Sequence, residues 1–572
     1  MRSLLLMMAL ALAATPAWSQ RPRVIPGKPV LGAALAPGPL RASAFPASAI
    51  AAVRLVPPTT AQVKSLERDD KRGRVGFARD AARESDGAMP SPSWIALPGG
   101  AHATRLALVS PGAASLRLSL GARGLPHGAE LRFVSPTRPE AVVGPVTAAE
   151  VEASLLATSA YWTPLTEGEE QQVEVWLPPG ADPSNVRIGI AGASHIEVAP
   201  SHGMKSATGL GAAQSCEEDV VCIAGSNPAL ARASRSVAKL LYTENGVSYL
   251  CTGTLVSDGS AASQVPYLYT AAHCISSEAA AATLNTFWFF QAASCGANKA
   301  ASSYRQLAAG ATLVYANATT DAALLRLDEP APAGAWFSGW DPQPLDAGAA
   351  VATLHHPVGD VEKISLGQSV GTLPVTADVG FDIVAWTTGT TEGGSSGSGL
   401  FTFDGHEYLL RGGLRGGSAS CTSSGRVDDP SNRDYYSRIA QEAPQLLKWL
   451  SAAPAPLANY TGMWFDADEP GWGLSIQQSA ENHVFATWYG YDASHRPLWL
   501  VMPQVAWTAA DALEGALYRA SGSAYSEAYD ASHFSVTPAG SMRVRFAADG
   551  SARLSATIDG VSFERPIARQ PF

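Results

Sequence analysis

The chain has 572 residues, 46% of them hydrophobic and only 16% charged, so it is too long for one core and too apolar to be largely disordered. About three or four globular domains are expected at that length. A formal net charge of −10 excludes general binding to nucleic acid or to an anionic membrane surface, which needs a basic face.

Residues 1–19 read as a secretory signal peptide. Arg2 is followed by an apolar run over 4–14, then by Ala17-Trp18-Ser19 as a cleavage site before Gln20. The run is too short to span a bilayer as an ordinary helix. No later stretch is long and apolar enough, so a secreted, extracellular protein with no membrane partner is expected. Residues 20–91 are rich in Ala, Pro and Arg without sustained periodicity and read as a linker or weakly ordered arm. Within 92–205, short segments of period two at 105–110, 115–120, 130–134, 172–177 and 186–190 predict a small antiparallel β domain. Residues 206–450 again read as short strands and turns. They close with an amphipathic helix over 438–450 whose start Pro444 is expected to delay. Residues 451–458 read as a linker, and 459–572 as an aromatic-rich β domain with a hairpin of 485–491 on 497–502. The expected fold class is therefore all-β.

All six cysteines, Cys216, Cys222, Cys251, Cys274, Cys295 and Cys421, fall in the 206–450 block. An even count in an exported chain implies disulfides, although six cysteines allow 15 pairings. There is no CxxC pair, and the spacings do not suit zinc, so no metal is expected.

Three segments of the same block carry chemistry: Thr270-Ala-Ala-His273-Cys274, Asp321-Ala-Ala-Leu-Leu-Arg-Leu327 and Gly394-Ser-Ser396-Gly-Ser398. Taken singly, they read as a packed structural histidine, a strand start and a flexible Gly/Ser loop. Together they place His, Asp and Ser in the chain order of chymotrypsin-type proteases. In that reading Ser396 is the nucleophile, exposed on a tight Gly-rich turn. His273 takes its proton and passes it to the leaving amine, while Asp321 holds the imidazole tautomer. The backbone N–H groups of Gly394 and Ser396 face the developing oxyanion. No metal or organic cofactor is implied, because such a triad needs none.

Further segments extend the likeness. Cys251-Thr-Gly-Thr-Leu-Val256, Thr319-Thr-Asp321-Ala-Ala-Leu-Leu325, His355-His-Pro357, Thr391-Glu-Gly-Gly-Ser-Ser-Gly-Ser398 and Cys216-Glu-Glu-Asp-Val-Val-Cys222 resemble the secreted bacterial lysyl endopeptidases of the trypsin-like superfamily. The resemblance covers about 206–450 and implies a chymotrypsin-like double β-barrel. It also implies the disulfides Cys216–Cys421, Cys222–Cys295 and Cys251–Cys274, each contributing about 2–4 kcal/mol. Trypsin reads Lys and Arg with an Asp six residues before its serine, and that position is Thr390. The lysyl endopeptidases place the pocket carboxylate downstream, in a segment like Asn432-Arg-Asp434-Tyr-Tyr436. This makes Asp434 the expected floor of the specificity pocket, with Glu392 as a second carboxylate; the plain alternative for Asp434 is a solvated turn residue. Arg415, Gly416 and Gly417 form the expected substrate-pairing strand. Arg415 stands where the best-known members have histidine, and the tryptophan that packs on that histidine is not evident. Gly399 replaces the family's proline after Gly-Ser.

The expected activity is hydrolysis of peptides and proteins after Lys, or after Lys and Arg alike. Lys205–Ser206 is then a natural self-processing bond, with 20–205 as a propeptide and inhibitor; a permanent β domain is the alternative. The C-terminal block resembles small β domains appended to many secreted proteobacterial proteins, through Tyr460-Thr-Gly-Met-Trp464 and Pro470-Gly-Trp-Gly-Leu474. Trp464, Trp472, Trp488, Trp499 and Trp507 either stack on a polysaccharide or cell-envelope surface or form that domain's core. Two rival functions stay open. One is a glutamyl-type endopeptidase, which would want a basic pocket and is kept alive by Arg415. The other is a catalytically silent binding or adhesion protein.

Overall fold

Alternating apolar and polar residues pair into antiparallel sheets along nearly the whole chain, with only short helices between them. The computed structural model describes residues 24–571 except 32–37, 43, 68–72, 88–89, 159, 200–211, 261–262, 298, 377–378, 451–455, 480–481, 483, 504 and 548. The expected signal peptide at 1–19, the pair Lys205 and Ser206, and most of the 451–458 linker lie outside the described residues.

The N-terminal unit is a sandwich of two sheets. One sheet contains His102–Val109, Glu170–Leu177, Glu130–Ser135 and Arg138–Thr147, and the other contains Ser115–Arg123 and Arg187–Ile196. Leu106 and Leu108 of the first meet Leu116, Leu118 and Leu120 of the second in a common core, as the period of two requires. On the opposite face of Ser115–Arg123, Ser115, Arg117 and Ser119 are buried too, while Gly121 and Arg123 at its far end are exposed. Arg117 is fully buried there, donating to Thr163 O at 2.8 Å, Thr243 Oγ1 at 2.8 Å and Thr283 O at 2.7 Å. Burial pushes its pKa down to about 9. Through Arg117 this face meets the next unit at Thr243 and Thr283.

Described parts of 24–91 are also built in, where composition suggests a weakly ordered arm. Ala51–Arg54 pairs in parallel with His102–Val109, and Gly76–Asp80 pairs with Arg187–Ile196. Lys28–Pro29 pairs with Trp336–Phe337 far along the chain, and the Lys28 ammonium meets Asp258 at 2.5 Å. Each strand is short and its partner distant, so no local periodicity announces it.

Two seven-stranded sheets form the central unit. The first runs Arg305–Leu307, Asn285–Trp288, Val237–Glu244, Val247–Leu255, Tyr267–Thr270, Ala322–Leu327, Ala311–Asn317. The second contains Lys363–Pro374, Ala350–His355, Gly399–Phe403, Tyr408–Gly417, Asp434–Tyr436 and Gly380–Thr388, and closes where Lys363–Pro374 also pairs with Gly380–Thr388. This is the double-barrel architecture of the chymotrypsin fold. The closing helix, Ile439–Leu450, starts before Pro444 and holds it inside. Ile439, Ala443, Leu446 and Leu450 pack into the core between the sheets, and that burial offsets the roughly 3 kcal/mol an interior proline costs.

The C-terminal unit is a nine-stranded antiparallel sheet closed where Val501 pairs with Tyr518. Its hairpin joins Val484–Tyr491 to Pro497–Met502. Trp464, Trp488 and Trp507 lie in its core with Trp472 packed against them, whereas Trp499 is 54% exposed. Most of these aromatics therefore serve packing, not a sugar-binding face. No described helix is long and apolar enough to cross a membrane.

Candidate active site

Strand register brings His273 to Asp321. Tyr267–Thr270 and Ala322–Leu327 are antiparallel, with Thr270 opposite Ala323, so the residue three past the end of one strand meets the residue just before the other. His273 Nδ1 lies 2.7 Å from Asp321 Oδ2, and the His273 N–H donates to Asp321 Oδ1 at 2.8 Å. Ala322, Ala323, Leu324 and Leu325 are fully buried and shelter the carboxylate, which itself sits on a backbone at φ 58°. Cys251–Cys274 ties this loop to Val247–Leu255, and Cys216–Cys421 and Cys222–Cys295 complete the pairing.

Ser396 sits on the loop between Gly380–Thr388 and Gly399–Phe403, flanked by Gly394 at φ 89° and Gly397 at φ 79°. At Gly397 a Cβ would stand 2.1 Å from Thr270 Oγ1, so only glycine fits. The loop is pinned from both barrels. Thr252 N–H donates to Ser396 O at 2.8 Å, and Gly397 N–H to Leu414 O at 2.8 Å.

A neutral relay braces the loop that carries Ser396, and sequence reasoning did not find it. Ser395 Oγ lies 2.8 Å from His355 Nδ1, and His355 Nε2 lies 3.2 Å from Ser365 Oγ, which donates to Thr390 O at 2.6 Å. Glu392 N–H donates to Ser395 Oγ at 3.1 Å. Full burial lowers the His355 pKa to about 3, so the ring stays neutral and can accept from Ser395 while donating to Ser365. His355 was visible only as part of the His355-His-Pro357 motif, without a role.

Glu217 faces the same cluster, 3.6 Å from His355 Nε2. Burial first, then Glu392, push its pKa up to about 9, against the ordering effects of Thr390, Lys363 and Ser365. The folded chain therefore holds a proton that the unfolded chain loses above its ordinary value of 4.5, and stability falls as pH rises through that window. Glu217→Gln removes this dependence. Its melting temperature relative to the parent is expected to climb by a few °C between about pH 5 and pH 9. Thermal unfolding across that range checks this, and a pH-independent difference would contradict it.

Asp434 is buried under the end of Tyr408–Gly417. Its Oδ2 accepts from Trp386 Nε1 at 2.6 Å and Thr391 Oγ1 at 2.8 Å. With the backbone of Ala419 these are its partners among the described residues, none of them a cation, and burial raises its pKa. Gly417 pairs with Asp434, and a Cβ at 417 would stand 2.3 Å from Asp434 Oδ1. Trp386 and Thr391 were not singled out as pocket residues from the sequence; their indole and hydroxyl reach Asp434 across the sheet. Glu392 turns elsewhere, accepting from Gln214 N–H at 2.9 Å, and burial raises its pKa too. Arg415 is exposed at a bulge, its guanidinium 4.4 Å above the Phe381 ring. The aromatic ring beside Arg415 is thus Phe381, a residue not singled out from the sequence. No group of His, Cys, Asp and Glu among the described residues could hold a metal ion.

Comparison with known proteins gives the same direction. Residues 210–437 match the family model "Lysyl endopeptidase, C-terminal domain", and residues 47–197 match "Lysyl endopeptidase N-terminal domain". A lysyl endopeptidase of Pseudomonas aeruginosa is 34% identical over 375 residues, covering 63% of this chain and 77% of the relative. A secreted RxLR effector protein 73 of Plasmopara viticola is 38% identical over 102 residues, 17% of this chain and 23% of its own. Among solved structures, the active form of the Rv3671c protease from M. tuberculosis aligns at a TM-score of 0.28 and 20% identity, covering 40% of this chain and 87% of its own. Matched across both its N-terminal and central units, the chain belongs to the lysyl endopeptidase family and is a serine endopeptidase.

Proposed function

We propose that the protein is exported and cuts peptide bonds after lysine, using His273, Asp321 and Ser396. Ser396 Oγ attacks the scissile carbonyl carbon and gives its proton to His273 Nε2. The tetrahedral oxygen takes hydrogen bonds from the N–H groups of Gly394 and Ser396. Its collapse expels the amine, which leaves with the proton from His273. Water then enters by the same route in reverse and frees the acid. Asp321 keeps the proton on Nδ1 and stabilises the imidazolium.

The observation that carries the lysine preference is Asp434, a buried carboxylate held by an indole, a hydroxyl and a backbone amide, with no cation among its described partners. A substrate ammonium would complete it, whereas an acidic or neutral side chain would leave it unpaired. A glutamyl preference is disfavoured because Arg415 is exposed and stacks on Phe381, and the buried group under the strand is a carboxylate. Export fits the three disulfides, which persist in oxidising compartments. Signal cleavage after Ser19 and processing at Lys205–Ser206 belong to the same proposal.

A peptide panel varying only P1 (Lys, Arg, Glu, Phe) tests it. Lys is expected to exceed Glu and Phe by at least about 10³ in kcat/KM, the scale on which a charged pocket discriminates. A Glu preference would overturn the pocket. Silence across the panel, with no labelling of Ser396 by an active-site phosphonate, would favour the binding-protein reading.

A further inference from the structure

The N-terminal sandwich reaches the nucleophile loop itself. Before entering Gly76–Asp80, the chain runs beside residues 248–250 of the first barrel as an added antiparallel segment. Leu250 N–H donates to Gly73 O at 2.9 Å, Val75 N–H donates to Ser248 O at 3.0 Å, and Arg74 stands opposite Tyr249. Gly73 lies against Gly394: a Cβ there would stand 2.8 Å from Gly394 N and 3.2 Å from Gly394 Cα. Its φ of 58° also suits glycine. Gly394 N is one of the two oxyanion donors proposed above.

The placement defines a side of the active site. Ser396 is held between Thr252 of Val247–Leu255 and, through Gly397, Leu414 of Tyr408–Gly417. The second strand lies over Asp434 and takes the part of a substrate before the cut. Residues 248–250 flank the nucleophile from the other side, where the leaving segment must go. Segment 73–75 starts at Gly394 and runs away from it in the N-to-C direction, which is the polarity of a leaving segment. A shared core of Val75, Ile196 and Val198 with Leu241, Leu250 and Phe290 holds it there, as does buried Arg117. Tethering makes such an occupant effective at concentrations a free peptide would not reach.

We infer that Gly73, Arg74 and Val75 are a built-in, substrate-like occupant of the leaving-group side of the active site, excluding peptides that extend past the cut while the N-terminal unit stays attached. The inference rests on the proposed function, because it takes Gly394 as an oxyanion donor. It deepens the propeptide reading by naming the blocked subsite and the residues that block it.

The test uses the full chain carrying Lys205→Gln to retain the N-terminal unit, with and without Gly73→Val. The substrate is an internally quenched peptide with Lys at the cut and four residues after it. The uncut Gly73→Val chain is expected to cleave it at least about 10-fold faster than the uncut parent. Without Lys205→Gln, both chains should release the same enzyme, since residue 73 departs with the N-terminal unit. Equal activity of those products shows that the variant folds. Lys71 stands two residues before Gly73 in the sequence, outside the described residues; a cut after it in the parent alone, read by mass spectrometry, is a second supporting result. An uncut parent as active as the released enzyme overturns the inference. So does a Gly73→Val chain that stays as slow as the parent although its released enzyme is fully active. Failure of the proposed function reads differently, as a released parent enzyme that is silent on the lysyl peptide.

Discussion

Ser396→Ala is expected to lower kcat/KM on a lysyl peptide by about 10⁴–10⁶-fold, leaving only what binding and the oxyanion donors supply. The fold should not register the change. Ser396 is 4% exposed, and its carbonyl, not its hydroxyl, accepts the Thr252 hydrogen bond that ties the loop to the first barrel. The glycines at 394 and 397 set the turn, and His355 braces it through Ser395. Alanine keeps all of these, so unfolding free energy should stay within about 0.5 kcal/mol of the parent. His273→Ala should cost a similar factor, and the double variant little more, because the two groups act as one unit. Steady-state kinetics and phosphonate labelling check this. A Ser396→Ala protein retaining a tenth of the parent rate would remove Ser396 from the mechanism.

Asp434→Asn is expected to lower kcat/KM for lysyl substrates by about 10²–10⁴-fold, the equivalent of breaking one buried ion pair at about 3–5 kcal/mol. The amide oxygen can still accept from Trp386 and Thr391, which donate to Asp434 Oδ2 at 2.6 and 2.8 Å. The pocket should therefore keep its shape while losing its charge. Burial already disfavours the ionised form of this carboxyl, so the variant should be no less stable than the parent at neutral pH. A substrate with norleucine in place of lysine should change by less than about tenfold, since it never used the charge. Equal losses on both substrates would point to a collapsed pocket, and no loss on lysine would move the specificity floor elsewhere.

The proposed reacting residues could be picked out in the sequence because each is tied to a local pattern. His273 and Asp321 sit at the ends of buried strands that read as apolar runs, and Ser396 lies in a glycine turn that demands positive φ. The period of two in Ser115–Arg123 marked which side chains share a face. It did not say what covers each face. Leu116 and Leu118 meet the sandwich core, while Arg117 meets Thr243 and Thr283 of another unit. The same limit hid Ala51–Arg54 and Gly76–Asp80, whose partners are remote in the chain.

The sequence alone therefore determined the chemistry and the strand-rich architecture, since motif order, cysteine usage and short-range alternation are properties of neighbouring residues. Only the tertiary structure decided what each polar group faces. It joined Trp386 and Thr391 to Asp434, His355 to Ser395, and Gly73 to Gly394. These pairs are separated by tens to hundreds of residues, and their contacts depend on strand register and barrel closure, which no local pattern encodes.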